Sequence, residues 1–195
     1  MIRVGIMGGI GSGKTFVSKL FNCPIFNADK QVDFIYRYNK KCFRDLRKKL
    51  PIYIKSFPIK KSELINAISS NKQSLKIISS IVHPIVRRNM KKFLKEKKSS
   101  KIVVLDIPLL IENKLFKKDD VLVFVYSNKS KILNRLKKRK NYNKKVLQNL
   151  NQNQLGLLRK KKLANYIVDN NFTPSIMKKK IKILKKKILY ERNCS

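Results

Sequence analysis

Short, continuous apolar runs recur along the chain, separated by stretches in which apolar residues return every three or four positions. The first run, residues 2–7 (Ile-Arg-Val-Gly-Ile-Met), predicts a strand that feeds into glycines. Residues 14–21 predict a helix carrying Val17 and Leu20. Pro24-Ile25-Phe26 is a second short run, closed by Asn27-Ala28-Asp29. From about 30 to 98 the pattern is mostly helical. There Ser62 is expected to cap a helix bearing Leu64, Ile65 and Ile68, and Pro84, after His83, is expected to open one at its first turn. Ile102-Val103-Val104-Leu105, ending at Asp106, is the cleanest run in the chain. Val121-Leu122-Val123-Phe124-Val125 follows, then Ser127 and a basic helix through about Arg139. Ile167-Val168 is a weaker strand signal. Thr173-Pro174 looks like a cap and first helical residue, and Ile176, Met177, Ile181, Leu184 and Ile188 form one apolar face of a last helix.

Continuous β-branched runs suit strands buried on both faces, as in parallel sheets. Their alternation with helices predicts an α/β fold, a three-layer sandwich around a central parallel sheet. The length of 195 residues fits one domain. Its core is expected at about 1–29, 101–136 and 164–195, with a helical region at about 30–98. The segment 137–163 is the least regular and most basic, and reads either as a solvated helical face or as a lid over bound phosphates.

Charge complicates this picture without changing the fold. The chain has 48 Lys and Arg against 11 Asp and Glu, a formal net charge of +37. A nucleic-acid partner would explain that balance. So would composition: the lysines are spread along nearly the whole chain, and Lys, Asn, Ile, Phe and Tyr share A/T-rich codons. The second explanation is preferred, and no specific nucleic acid is expected. Cys23, Cys42 and Cys194 form no C-x-x-C pair and indicate neither zinc nor a disulfide framework. No signal-peptide pattern and no span-length apolar run is present, so a cytoplasmic location without membrane attachment is expected.

Candidate chemistry begins at Gly8-Gly9-Ile10-Gly11-Ser12-Gly13-Lys14-Thr15, which satisfies G-x-x-x-x-G-K-[ST] in full, between a strand and a helix. Its glycines would let backbone amides converge on phosphates, Lys14 would bridge the β- and γ-phosphates, and the Thr15 hydroxyl would ligate Mg²⁺. With so few acids, those at strand ends are informative. Asp29 is a candidate proton acceptor for a hydroxyl, with a helix N-cap as the alternative. Asp106 follows four apolar residues in the manner of a Walker-B acid. His83, before a proline, is read first as a structural turn residue.

Together these pieces resemble the dephospho-coenzyme A kinase family over nearly the whole chain. The resemblance is carried by the loop, by Asn27-Ala28-Asp29, by His83-Pro84 and by Asp106-Ile107-Pro108-Leu109-Leu110-Ile111-Glu112. Leu133 to Arg139, Gln154 to Lys160, and Ala164-Asn165-Tyr166-Ile167-Val168-Asp169-Asn170 extend it. It implies transfer of the ATP γ-phosphoryl group to the ribose 3′-hydroxyl of dephospho-coenzyme A by a monomer or weak oligomer. It implies that Gly9, Ile10, Gly11, Ser12, Gly13, Lys14, Thr15, Phe16 and Arg139 bind ATP. Thr15 and Asp106 would hold Mg²⁺. Asp29 would be the base, assisted by Lys14 and Arg139, and Asp29, Lys61, His83 and Lys160 would contact the acceptor. Asn27, Asn165 and Lys61 depart from the family pattern, where acids and an arginine are usual.

Overall fold

The structure is a computed structural model that describes residues 1–137 and 156–193. The strands are β1 (Ile2–Gly8), β2 (Ile25–Asn27), β3 (Ile102–Asp106), β4 (Val121–Tyr126) and β5 (Tyr166–Asp169). They form one sheet in the order β2-β3-β1-β4-β5, with every pairing parallel. The helices are α1 (Lys14–Leu20), α2 (Ala28–Tyr38), α3 (Lys40–Lys49), α4 (Lys61–Ser70), α5 (Lys72–Glu96), α6 (Lys129–Lys137), α7 (Leu157–Lys162) and α8 (Pro174–Asn193). Two compact units are present. One comprises Met1–Asn27 and the described part of Lys97–Ser195, and the other comprises Ala28–Glu96.

The first unit is built on the sheet. All five residues of β3 are buried, as are the first five of β4, which is why both runs are apolar without alternation. One face of the sheet (Val4, Ile6, Val104, Val123, Val125 and Val168) packs with Val17 and Phe21 of α1 and with Met177, Ile181 and Ile188 of α8. On the other face Gly5 leaves room for Leu110, whose Cδ2 lies 2.5 Å from where a Cβ would be. Strand β1 sits between β3 and β4: the chain first passes from β1 to β2 on one side of it, then crosses from β3 to β4 on the other. Such a switch point opens a crevice beyond the strands' carboxyl ends, where the loop after β1 lies.

The second unit is helical, with α2, α3 and α4 packed against α5. Two expectations fail here. Pro84 does not open a helix but lies inside the 25-residue α5. Ile78, Val82, Val86 and Met90 form a buried stripe at four-residue spacing that runs past it, and this packing offsets the missing amide. Ser62 does not cap α4, which starts at Lys61 after an extended Lys60. Glu63 instead anchors that turn, accepting from the Ser56 amide at 3.0 Å and its hydroxyl at 2.8 Å. In α8, Ile176 falls outside the apolar stripe and is 43% exposed.

Candidate active site

Residues 8–13 link β1 to α1, and two of their glycines are sterically required. Gly8 has φ 148°, and a Cβ there would lie 2.5 Å from the Val125 carbonyl oxygen. Gly13 caps α1 with φ 91°, and a Cβ there would lie 2.3 Å from Nδ2 of Asn170. Side chains other than hydrogen cannot occupy these positions without moving buried neighbours. The Lys14 ammonium donates to the carbonyls of Gly8 at 3.1 Å and Gly9 at 2.9 Å, which holds it against its own loop. Thr15 is exposed in the first turn of α1, and Ser18 ties that turn through a 2.9 Å bond to the Lys14 carbonyl.

Asp106 ends β3 and is 3% exposed. Asn27 lies opposite it in register, and its side-chain amide donates to the Asp106 carboxylate. An aspartate at 27 would instead face Asp106 as a like charge, so the asparagine changes this site from two acids to an acid and its donor. Asn165 has a structural task. Its side-chain oxygen accepts from the Leu122 main-chain N–H at 2.7 Å and its own main-chain N–H donates to the Leu122 carbonyl at 2.9 Å, which starts the β4–β5 ladder.

Lys160 departs from the picture of a basic solvated face, while residues 138–155 of the expected lid lie outside the described residues. It is 2% exposed and pairs with Glu112 at 2.7 Å. The partners are far apart in sequence, so nothing local marks Lys160 among the adjacent lysines. Removing one member of a buried pair strands the other charge, so Lys160→Met is expected to destabilise the fold by about 3 kcal/mol in urea unfolding. A midpoint equal to that of the unmodified chain would contradict a structural role for the pair. Arg139 lies outside the described residues.

Within the helical unit, Asp29 occupies the first turn of α2 and is not its N-cap. It is exposed, and a carboxylate there complements the helix's positive end. Asp29 and Lys61 line one cleft of about 350 Å³ with Lys30, Val32, Asp33 and Tyr36. Lys61 reaches Asp33 at 3.7 Å, while Asp33 also pairs with Arg37 at 2.9 Å. Burial, and to a lesser extent the Cys42 thiol, pushes the Tyr36 phenol up to about 12, so it stays a neutral donor.

His83 lies mid-way along α5 and is half-buried. Burial and then the neighbouring Arg87 lower its pKa from the usual 6.5. The folded imidazole is therefore neutral where the unfolded one already takes up a proton. The resulting stabilisation is present above about pH 6.5 and is lost as pH falls. As the chain has a single histidine, proton NMR of its ring resonances should give a midpoint below 6.5. A midpoint at or above that value would mean that burial does not govern this group.

Ser127 and Asn170, not among the site residues expected from the sequence, both contact the loop. The one signal in the sequence was position: each is the residue that directly follows a strand, Ser127 after β4 and Asn170 after β5.

Phosphate is the ligand this loop suits: glycines forced into left-handed geometry, a lysine folded across them, and a buried acid at the end of the adjacent parallel strand. The chain is of the P-loop nucleotide-binding class. The model of one family, described as CoaE, dephospho-CoA kinase, matches residues 2–175. A dephospho-CoA kinase of Wolbachia pipientis wMel is 30% identical over 184 residues, covering 92% of this chain and 94% of that protein. Among solved structures, TT1252 from Thermus thermophilus superposes with a TM-score of 0.78 at 25% identity, covering 97% of both chains. Dephospho-CoA kinase from Campylobacter jejuni superposes at 0.66 with 19% identity, covering 95% of this chain and 96% of that one, and so shares the fold. The chain belongs to the dephospho-CoA kinase family.

Proposed function

We propose that the chain phosphorylates the ribose 3′-hydroxyl of dephospho-coenzyme A with ATP, giving coenzyme A and ADP. The observation that carries this reading is the loop from Gly8 to Thr15, in which the glycine conformations and Lys14 fit a polyphosphate, within a chain of this family.

In the reaction, the 3′-oxygen bonds to the γ-phosphorus while the bond to the β,γ-bridging oxygen breaks, and its electrons leave with ADP. The loop amides and Lys14 hold the phosphates in line and offset the charge that spreads over their oxygens. Asp29 takes the hydroxyl proton; its support is its exposed carboxylate at the head of the cleft that Lys61 also lines. Lys61 and the helical unit Ala28–Glu96 bind the anionic acceptor, with His83 as a neutral hydrogen-bonding group. Arg139 is proposed to add positive charge at the transferring group, as in the family.

The residues fit Mg²⁺. The Thr15 hydroxyl and the Asp106 carboxylate are hard oxygen donors on α1 and β3, which pack together. One or two protein oxygens suffice when phosphates supply others. When bound, the ion neutralises phosphate charge.

An acceptor panel tests the assignment: ADP formation with dephospho-coenzyme A, shikimate and nucleosides. Turnover with dephospho-coenzyme A alone supports it. Preference for shikimate or a nucleoside would assign the chain a different acceptor.

A further inference from the structure

The Ser12 carbonyl, in the middle of the phosphate loop, is held from two strand ends. Asn170, fully buried just past β5, donates from Nδ2 to Ser12 O at 2.8 Å. Ser127, 4% exposed just past β4, has its Oγ 3.0 Å from Ser12 O and 3.0 Å from the Asn170 carbonyl oxygen. Asn170 is itself fixed on its remaining sides. Its main-chain N–H donates to the Tyr126 carbonyl at 2.8 Å, and its Oδ1 accepts from the Phe172 main-chain N–H at 2.9 Å. The Phe172 ring carries the Arg135 guanidinium of α6 at 4.3 Å.

A trans peptide points its carbonyl and its amide N–H in opposite directions. Holding the Ser12 carbonyl toward Asn170 and Ser127 therefore turns the Gly13 N–H away from them. Gly13 completes the interlock, because the Asn170 amide fills the space where its Cβ would stand.

We propose that Asn170, assisted by Ser127, is a positioning residue for phosphate binding. It sets the Ser12–Gly13 peptide so that the Gly13 amide faces the nucleotide phosphates, and through Phe172 it keys the loop to Arg135. It touches no reacting atom. The proposal rests on the reading that residues 8–15 hold the ATP phosphates.

Three variants test it. Asn170→Asp keeps the acceptor for the Phe172 amide but turns an oxygen toward the Ser12 carbonyl. Ser127→Ala removes a hydroxyl donor, and Ser127→Thr restores it. ADP affinity by calorimetry, KM for ATP and for dephospho-coenzyme A, kcat and apo-protein melting are compared. Asn170→Asp and Ser127→Ala are expected to weaken ADP and raise the KM for ATP by about tenfold, the scale of one lost hydrogen bond. The KM for dephospho-coenzyme A should hold, and Ser127→Thr should recover ADP binding. Folded Asn170→Asp and Ser127→Ala proteins that bind ADP as the unmodified chain does would overturn the proposal. So would an equal rise in both KM values, which signals general loosening. If Asn170→Asp does not fold, the Ser127 pair decides alone. An unmodified chain that binds ADP but leaves dephospho-coenzyme A untouched sinks the acceptor reading only, while one that binds no ADP sinks the phosphate-loop reading and this proposal with it.

Discussion

Replacing Gly13 with alanine is expected to weaken ATP binding roughly a hundredfold, from about 1–2 kcal/mol for a Cβ in left-handed geometry and about 1 kcal/mol for the displaced Asn170 bond. The residue sits at φ 91° and its added methyl would meet Asn170 Nδ2 at 2.3 Å and Phe172 Cε1 at 3.1 Å. Neither neighbour can yield cheaply, since Asn170 is fully buried and bonded at both ends of its amide. The loop must therefore change shape, and with it the directions of the amides that phosphates need. Calorimetry with ADP, beside melting of the apo-protein, separates this from unfolding. Unchanged ADP affinity in a folded variant would mean that the loop conformation is not what binds phosphate.

The second large effect is expected at Asp29. Asp29→Asn keeps size and hydrogen-bonding capacity but cannot take up the hydroxyl proton at neutral pH. Loss of a positioned general base costs about 10²- to 10⁴-fold, so kcat should fall within that range. The KM for ATP should change by less than about threefold, because the role is exercised in the transition state. Steady-state kinetics with both substrates varied checks the split. A kcat within a few-fold of the unmodified chain would keep the kinase but remove Asp29 as its base.

Much of this architecture is legible in the sequence because its determinants are local. The runs at Ile102–Leu105 and Val121–Val125 are apolar at every position, as doubly covered parallel strands must be, and β3 and β4 fall there. The loop from Gly8 to Thr15 is legible because its backbone geometry excludes other residues at Gly8 and Gly13. Features set by distant partners were harder to read. Pro84 taken alone reads as a helix start; that α5 continues through it follows from the apolar stripe from Ile78 to Met90, which the fold buries. Lys160 reads as one of many lysines until Glu112 is beside it. Asn170 bonds to a residue 158 positions away, and only the fold brings the two together. The departures at Asn27 and Asn165 also become intelligible in place, one as a donor to Asp106 and the other as the first link of β5 to β4.

The most direct test of the central claim is product stoichiometry. Purified protein with Mg²⁺-ATP is followed by mass spectrometry for ADP and coenzyme A, with and without dephospho-coenzyme A. One coenzyme A, phosphorylated at the ribose 3′-oxygen, should form for each ADP, with little ADP in the acceptor's absence. ADP formed at the same rate with or without dephospho-coenzyme A, and no coenzyme A, would contradict it.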